Sequence, residues 1–497
     1  MSQSSKKVVV IGAGFAGMSA ATFLAKKGWS VTVIEKNSLP GGRARKFEAE
    51  GYVFDMGPSW YWMPDIFEKY FAHFGKKVSD YYNLERLDPS YRVYFEKAVW
   101  DIPANYPQLQ DLLESIEPGA AKALDAFLAE AKYKYDIGVG KLVHQPGISL
   151  TEFIDADLFK GIFKLDVFQS MKKHVAKYFK HPYIQFLMEF PVLFLGALPE
   201  KTPALYSLMN YADIKGGTWY PEKGMYSIVQ AMYDLAVSMG VEFKFDESVV
   251  DIVVEKGMAR KIRTTKNSME VFYDVDMVVG AGDYQHIESK LLSSENQSYT
   301  EQYWDSRVMA PSSLIYYLGL NKKIPGITHH SLFFDTDFGV HGKEIYATPQ
   351  WPTKPLFYAS APSVTDPSVA PDGCENLFLL IPIAAGLEGD TEAVRESYLK
   401  EMLARMEARW GVSISESIVY KRSFAVSDFK SDYHSFKGNA YGLANTLLQT
   451  ANLKPSCKSK KVNNLYYTGQ LTVPGPGVPP SLISGEVVAN LIDKNHK

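Results

Sequence analysis

The sequence predicts an α/β fold, α+β overall, and three observations support that prediction. Residues 7–11 form an apolar run of strand length, followed by a glycine-containing turn and a stretch of helical character that ends at Gly28. A second, β-branched strand covers residues 30–36. Later segments are predicted to be further strands, among them SSLIYYLGL and ENLFLLIPIA, with one long helical pattern at residues 392–410. Strands and helices are therefore mixed along the whole chain.

The composition is that of a folded protein with more than one domain. Of 497 residues, 46% are hydrophobic and 22% are charged, which is enough for two or three cores. The formal net charge is only −3, so no overall field favours nucleic acid. The two cysteines, Cys374 and Cys457, have neither metal-ligand nor disulfide spacing. We expect no metal site and a reducing, cytoplasmic setting.

The turn after the first strand has the spacing of a dinucleotide site. Gly12, Gly14 and Gly17 form G-x-G-x-x-G, and Glu35 ends the second strand about twenty residues further on. In a Rossmann-like unit these glycines permit the tight turn, the approach of a pyrophosphate and close helix packing, and the acid binds a ribose. The helix N-terminus then faces the phosphates. This arrangement also argues against a signal peptide.

A second glycine-rich segment indicates which dinucleotide binds. Gly41, Gly42 and Arg43 follow the acid, and another turn lies at Gly57. A glycine pair lets a guanidinium approach a diphosphate. The order GxGxxG, acid, GGR and FDMGP resembles the flavoprotein family of amine oxidases, protoporphyrinogen oxidase and carotenoid desaturases, which bind FAD. The segment around Gly280 lacks a third glycine. We therefore expect one FAD, no NAD(P), and an oxidase or dehydrogenase.

The resemblance implies an amine-oxidase/GDI-like fold whose FAD-binding domain is assembled from separated segments. We assign residues 1–85, 216–290 and 456–497 to that domain. Residues 86–215 are expected to form a mainly helical insertion with the substrate tunnel and the membrane contact. Residues 291–455 are expected to form a sheet-based substrate domain. The longest apolar run, residues 186–198, is shorter than the ~20 residues that cross a bilayer, so we expect no transmembrane helix.

The stretch VPGPGVPPS, residues 473–481, is predicted to be a shaped loop, because a backbone this rich in proline extends neither a central strand nor a helix interior. Glycines at 475 and 477 let the backbone approach a flat ring, and the prolines stiffen it. We predict that the amides of Gly477 and Val478 face flavin N1 and O2, where negative charge gathers on reduction.

The resemblance carries further FAD contacts over to this sequence, including the backbone at Val250 beside the adenine. The predicted FAD-binding residues are Gly12, Ala13, Gly14, Phe15, Ala16, Gly17, Glu35, Lys36, Gly42, Arg43, Gly57, Pro58, Ser59, Val250, Gly469, Gln470, Gly477 and Val478.

Residues 157–181 interleave lysines with large apolar residues. This pattern predicts a basic amphipathic helix pair that lies in the headgroup region of an anionic bilayer with its apolar side inserted. A core helix with a solvated face is the alternative. We expect peripheral association with the inner face of the cell membrane. The lysines are Lys160, Lys164, Lys172, Lys173, Lys177 and Lys180.

Residues 182–225 narrow the resemblance. The segment LGALPEKTPALYSLMNYA, followed by GGTWYPEKGM, is similar to the bacterial-type phytoene desaturase family of carotenoid desaturases, and the likeness covers essentially the whole chain. Gln470 stands where amine oxidases usually have an acid, which favours the same reading. The resemblance implies a hydrophobic carotenoid substrate. Trp219 and Tyr220 are candidate substrate contacts, with core aromatics as the alternative.

The family implies transfer of a hydride to the flavin from a saturated C–C unit beside a polyene, with loss of a proton from the neighbouring carbon. No general base is assigned, and His73, His181 and His434 are candidates by type alone. Overall likeness favours the branch that introduces a 3,4 double bond into 1-hydroxylated or monocyclic carotenoids, and phytoene desaturation is the alternative. The electron acceptor is oxygen or a membrane quinone. An amine oxidase and a non-enzymatic lipid chaperone are more remote alternatives.

Overall fold

The computed structural model describes residues 6–149 and 169–496, which form fourteen α-helices and nineteen strands. The helices are Phe15–Lys26 (α1), Pro64–Ala72 (α2), Tyr106–Ile116 (α3), Ala120–Gly138 (α4), Met171–Tyr178 (α5), Pro182–Glu189 (α6), Leu208–Tyr211 (α7), Tyr226–Ser238 (α8), Tyr284–Leu291 (α9), Glu301–Asp305 (α10), Phe338–Tyr346 (α11), Glu392–Trp410 (α12), Val426–Tyr433 (α13) and Val478–His496 (α14). The strands are Lys7–Ile11 (β1), Ser30–Ile34 (β2), Lys46–Ala49 (β3), Tyr52–Asp55 (β4), Leu84–Arg86 (β5), Tyr91–Phe95 (β6), Val99–Ile102 (β7), Trp219–Pro221 (β8), Glu242–Lys244 (β9), Ser248–Glu255 (β10), Met258–Lys266 (β11), Met269–Asp274 (β12), Met277–Gly280 (β13), Ser312–Leu320 (β14), His330–Phe334 (β15), Phe357–Ser360 (β16), Glu375–Ile383 (β17), Ile418–Phe424 (β18) and Leu465–Tyr467 (β19).

A five-stranded parallel sheet has the order β19-β13-β1-β2-β9. Its central strand is buried on both faces, as parallel strands usually are. Val8 and Val10 pack into the core that contains α1 and α14, whereas Val9 and Ile11 pack against α9 and the three-stranded sheet β10-β11-β12. The sheet therefore joins distant parts of the chain, within the three segments assigned to the cofactor domain. The division into domains stays a prediction.

Helices α1 and α14 lie on the same face of this sheet and are in backbone contact with each other. A Cβ on Gly485 would come within 2.5 Å of the Ala16 carbonyl oxygen and 2.6 Å of the Ala20 amide nitrogen. The Ser19 hydroxyl donates to the Leu482 carbonyl at 2.7 Å. Only glycine fits at position 485, and the last helix covers the first one directly.

The second large sheet has seven strands in the order β18-β14-β17-β16-β15-β6-β7, and all its pairs are antiparallel except β15 with β6. The sequence-predicted strands SSLIYYLGL and ENLFLLIPIA become β14 and β17, and the predicted long helix is α12. Strands β6 and β7 come from the segment that we expected to be mainly helical. That segment therefore also supplies one edge of this sheet.

Helix α5 is the described part of the lysine-rich segment. Lys172, Lys173 and Lys177 are exposed, and Lys180 follows the helix on the surface, whereas Met171 and Val175 are buried. The expectation that an apolar side of this segment inserts into a bilayer is wrong for α5, because that side packs into the protein. Positions 160 and 164 lie outside the described residues. Within residues 6–149 and 169–496, every helix is too short or too polar to cross a bilayer.

Candidate active site

A cavity of about 460 Å³ extends from the carboxyl ends of β1 and β2 to one face of the seven-stranded sheet. Ile11 and Ile34 line it on the first sheet, and Ser313, Ile315 and Leu380 line it on the second. Ligands of open parallel sheets bind at the carboxyl ends of the strands. All the predicted cofactor residues except Ala13, Gly17 and Val250 line this cavity.

The loop between β1 and α1 has the shape that the glycine spacing predicts. Gly12 has a φ of +104°, and a Cβ on Gly17 would collide with the Gly12 carbonyl oxygen. A Cβ on Gly14 would meet nothing within 4 Å, so this side of the loop is open. No side chain caps α1, whose first residues, Phe15 and Ala16, line the cavity. The amides of its first turn therefore remain available to an anion.

Glu35 is fixed at the end of β2 by contacts with two loops. Its carboxylate accepts hydrogen bonds from the amide of Ala13 at 2.9 Å, from the amide of Asn37 at 2.9 Å and from the Asn37 side chain at 2.7 Å. Ala13 does not line the cavity, but its amide helps to hold the Glu35 carboxylate in position. The side chain of the neighbouring Lys36 donates to the Ser431 carbonyl at 2.8 Å, and burial lowers the pKa of Lys36.

Arg43 is a half-buried cation with an incomplete set of partners. Its Nη2 donates to the Ser435 hydroxyl at 3.0 Å and to the Asn439 carbonyl at 3.4 Å. With its amide turned to suit its neighbours, the Gln470 oxygen accepts from Nη2 and Nη1 at 3.0 and 3.2 Å. Arg43 Nε is buried without a partner in the described chain. Burial lowers the pKa of Arg43, and the charge of Asp283 opposes this shift.

The proline-glycine loop, residues 473–481, contributes to the wall of the cavity. Gly475 and Gly477 have φ angles of +138° and +110°, which side chains rarely adopt. Helix α14 begins at Val478, before the two prolines, because the first turn of a helix needs no amide donors there. Gly469, Gln470, Gly477 and Val478 all line the cavity. The loop therefore lies where a ring bound in the cavity would meet it.

Charge is distributed unevenly around the cavity. The acidic and basic lining residues belong to the nucleotide end, and they are Glu35, Lys36, Arg43, Glu247, Asp283 and Asp432. The other end is uncharged among the described lining residues. It consists of Trp60, Trp62, Met63, Phe67, Met209, Ser313, Ile315, Tyr358, Leu380 and Tyr441.

Val250 does not line the cavity, and its neighbours Ser248 and Val249 do. The pairing of β10 with β11 shifts register between Val249 and Asp251, which leaves Val250 without a partner in the ladder. Such a bulge changes which side chains face each side of the sheet. Ser248 and Val249 are therefore the lining positions nearest to Val250, and the contact of the Val250 backbone with the adenine stays a prediction.

Trp219 and Tyr220 lie outside the cavity lining, in β8. The Trp219 indole donates to the Gly216 carbonyl at 2.9 Å. Tyr220 is buried with its ring 4.7 Å from that of His329, and its hydroxyl donates to Asp366 at 3.4 Å. The structure therefore favours the core-aromatic alternative for both positions.

The three candidate histidines are separated in the structure. His73 lies 3.6 Å from the Glu486 carboxylate, and His181 caps α6 by accepting from the Tyr183 amide at 3.3 Å. His434 alone lines the cavity, where it stacks on His286 at 4.1 Å between ring centroids. Burial lowers the pKa of His434, and it lowers the pKa of His286 to about 4.

Sequence reasoning missed several lining residues. Glu247 accepts hydrogen bonds from Thr264 at 2.6 Å and from Tyr273 at 2.7 Å, and Asp283 caps α9. These acids follow β9 and β13, in a different segment from the glycine loop, and no spacing links them to that loop. Trp60 was within reach of prediction, because it directly follows Gly57, Pro58 and Ser59.

Comparison with known proteins identifies the family. The model described as flavin containing amine oxidoreductase matches residues 15–493. The chain belongs to this flavoprotein family. The predicted FAD cofactor and oxidoreductase class are therefore confirmed.

Two relatives of this flavoprotein act on carotenoids by name. The carotenoid 3,4-desaturase of Haloarcula japonica is 40% identical over 491 residues, covering 98% of each chain. The zeta-carotene-forming phytoene desaturase of Myxococcus xanthus is 30% identical over 490 residues, covering 98% of this chain and 94% of the relative. The predicted resemblance to carotenoid desaturases is confirmed.

Solved structures confirm the fold of the flavoprotein. An oxidoreductase from Methanosarcina mazei superposes with a TM-score of 0.63 at 16% identity, covering 97% of this chain and 100% of the other. The Rab GDI of Plasmodium falciparum superposes with a TM-score of 0.55 at 12% identity, covering 99% and 98%. The amine-oxidase/GDI-like fold is therefore confirmed.

The residues present fit FAD. Arg43 Nε is an unpaired buried donor, the loop is open at Gly14, and the N-terminus of α1 is uncapped, and all three suit a diphosphate. Glu35 suits a ribose. The loop at Gly477 suits the flavin ring. In the described residues, no cluster of three histidine, cysteine or acidic side chains is placed to hold a metal ion.

Proposed function

We propose that the protein is an FAD-dependent desaturase that introduces a C=C bond into an acyclic or monocyclic carotenoid. The preferred target is the 3,4 bond of a 1-hydroxycarotenoid. This choice of branch is supported by the relative from Haloarcula japonica, whose name states a 3,4-desaturase.

The separation of charge within the cavity carries this proposal. Charged residues surround the nucleotide end, while aromatic and aliphatic side chains form the far end. A hydrocarbon loses nothing when it enters an uncharged apolar wall, because it has no polar groups to desolvate. An ionised substrate would lose its hydration at this end without gaining a charged partner. The far end therefore suits a polyene.

The bound flavin supplies a two-electron acceptor for a hydride from the substrate. The residues of the chain supply alignment and exclusion of water. Ile315 and Leu380 form a sheet surface against which the polyene can lie, and Trp60 and Tyr358 provide aromatic faces. Holding the reacting bond in one orientation contributes to rate because it removes translational and rotational freedom before the reaction.

Phytoene desaturation is the second candidate. It is supported by the 30% identical relative from Myxococcus xanthus, whose name states that activity. Both candidates require the same cofactor and an apolar cavity. They differ in the position of the new bond and in the end group of the substrate.

We also propose a peripheral location on the inner face of the cell membrane, with oxygen or a membrane quinone as electron acceptor and no role for NAD(P). The exposed lysines of α5 support an electrostatic contact with anionic lipid. An insoluble substrate supports the same location, because it must be taken from the bilayer.

Product analysis with the purified FAD-loaded protein tests the proposal. Phytoene, lycopene and 1-hydroxylycopene are supplied in liposomes, in air or anaerobically with a quinone. We expect the 1-hydroxylycopene product to gain one conjugated double bond at the 3,4 position, identified by its absorption spectrum and mass. Turnover of phytoene instead would support the second candidate. Oxidation of amines without turnover of any carotenoid would overturn both.

A further inference from the structure

Three aromatic side chains form a polar cluster within the apolar end of the cavity. The Trp60 ring stacks on His330 with centroids 4.2 Å apart and planes inclined by 12°. The Tyr358 hydroxyl lies 2.7 Å from His330 Nδ1. Trp60 comes from the loop after β4, while His330 and Tyr358 belong to the neighbouring strands β15 and β16. Trp60 and Tyr358 line the cavity, and His330 lies behind them.

Two polar atoms of this cluster have no partner. Trp60 Nε1 and His330 Nε2 are both buried, and no hydrogen-bond partner for either exists in the part of the chain that the structure describes. His330 has no exposed surface, and burial lowers its pKa well below the ordinary value, so its ring is neutral. An unpaired buried polar group is costly, and a ligand group that pairs with it removes this cost.

We propose that the Trp60–His330–Tyr358 cluster binds the terminal hydroxyl of the substrate. This inference rests on the proposed function. A hydroxyl is neutral, donates one hydrogen bond and accepts two, so it matches the Trp60 indole donor and the Tyr358 phenol that line the cavity, while His330 holds the phenol from behind. A carbonyl only accepts, and an ion would lack a charged partner here. The cluster therefore suits an alcohol on a molecule that is otherwise a hydrocarbon.

The position of the cluster gives the hydroxyl a role in choosing the reacting bond. In a 1-hydroxycarotenoid, C3 lies two bonds from the carbon that bears the hydroxyl. Trp60 follows Gly57, Pro58 and Ser59, which are predicted cofactor contacts that line the cavity. A hydroxyl held by this cluster would hold C3 and C4 at a fixed short distance from that loop. Trp60 and Tyr358 are thus specificity-determining residues, and His330 is a positioning residue that acts through them.

Paired substrates with and without the hydroxyl test the inference. The FAD-loaded wild type, Trp60→Phe, Tyr358→Phe and the control Tyr346→Phe are compared with lycopene and 1-hydroxylycopene. Tyr358→Phe and Tyr346→Phe lose only a hydroxyl, whereas Trp60→Phe keeps an aromatic ring but loses the indole N–H together with the second ring of the indole. The control loses a hydroxyl that donates to the Leu193 carbonyl at 2.9 Å, outside the cavity lining. Flavin content and thermal unfolding are measured for every protein to detect variants that fail to fold.

We expect the wild type to favour 1-hydroxylycopene in kcat/KM by about 100-fold or more, as sites built around a substrate hydroxyl do. Trp60→Phe and Tyr358→Phe should each reduce that ratio by about 10-fold, the effect of one hydrogen bond. Tyr346→Phe should leave it unchanged. Dissociation constants on anaerobically reduced holoenzyme, measured by quenching of tryptophan fluorescence, should change in the same order, and they do not depend on turnover.

Two results would overturn the inference. A wild type that desaturates both carotenoids and binds them equally well would show that no group reads the hydroxyl, and this result does not need any variant to fold. Variants that fold and keep the wild-type ratio would show that a different site reads it. If no carotenoid is turned over or bound, the proposed function fails together with the inference. The first two results, in contrast, overturn the inference alone.

Discussion

Gly477 stands where the proline-glycine loop meets α14. Its φ of +110° places the backbone in the left-handed region, and a Cβ there would approach the Pro480 ring at 3.2 Å. A β-branched residue at such an angle adds strain of about 1 to 2 kcal/mol or more. With valine at position 477, the loop is expected to move away from the predicted position of the flavin ring.

Gly477→Val should therefore give a folded protein that retains little or no flavin. The measurement is the ratio of flavin to protein absorbance after gel filtration. Gly240→Val is the matched control, because Gly240 has a φ of +84° and open space around its Cβ position, away from the cavity. Normal flavin content in the Gly477 variant would contradict the assignment of the loop to the flavin ring.

Lys454 is a buried lysine beside the same loop. Its Nζ donates to the Asn445 side chain at 2.8 Å, and a Cβ on Gly475 would collide with it. Burial lowers the pKa of Lys454 to about 7, against an ordinary value of 10.5. Between these two values the unfolded chain binds a proton that the folded chain does not. The stability of the folded state therefore rises with pH across this window.

Lys454→Met should remove that pH dependence. The free energy of unfolding of the wild type should rise relative to the variant by on the order of 1 kcal/mol per pH unit from pH 7 to pH 10. Below pH 7 the difference should be constant. Apparent Tm values of both proteins across this range measure the effect. Lys261→Met, at an exposed position, is the control. Parallel pH profiles for the wild type and Lys454→Met would contradict the lowered pKa of Lys454.

At the scale of elements, the sequence predicts those whose own pattern determines them. Strand β14 and helix α12 match their predictions residue for residue, because a continuous apolar run and a long helical period need no partner to be recognised. The glycine loop could also be predicted from the sequence, because the φ of +104° at position 12 and the close backbone contact at position 17 both favour glycine.

Other elements depend on partners far away in the chain. The bulge that displaces Val250 arises from pairing with β11, which no local pattern shows. Strand β6 joins β15 across almost half of the chain. The apolar side of α5 is indistinguishable from a membrane-binding side until the residues that cover it are known. The polar cluster at His330 also exists only because two strands and a loop meet.

The lysines of α5 predict an electrostatic attachment to lipid. Lys172 is paired with Glu200 at 2.6 Å, so Lys173, Lys177 and Lys180 are the better positions to test. Each lysine near an anionic surface contributes about 1 kcal/mol, so reversing three charges should weaken binding to anionic liposomes by more than about 100-fold. Flotation measures binding, and flavin content should not change.

A variant with Lys261, Lys290 and Lys343 changed to glutamate is the control for total charge, because these exposed lysines lie on other elements. Activity on carotenoid held in liposomes should fall for the α5 variant alone, while detergent-solubilised carotenoid should be turned over normally. Equal losses of flotation in both variants would mean that net charge, and not α5, determines attachment.

At the scale of the whole molecule, the cofactor should act as an internal support. The cavity takes residues from both large sheets, from Ile11 to Ser481. A ligand that binds only the folded state adds about 2.7 kcal/mol to stability at a concentration of 100 times its Kd. FAD added to the stripped protein should raise its apparent Tm by several degrees, in proportion to the logarithm of the FAD concentration. NADPH should have no such effect, and an equal shift with NADPH would contradict a single FAD site.

The backbone contact between α1 and α14 also determines when the cofactor site can be completed during synthesis. The contacts at Ser19 and Gly485 join a helix near the start of the sequence to one that is synthesised much later. At roughly 5 to 20 residues per second, about 20 to 90 seconds separate the two during translation. Through this interval the phosphate-binding loop lacks the helix that covers α1 and the loop that faces the flavin. FAD is therefore expected to bind tightly only after α14 has been synthesised.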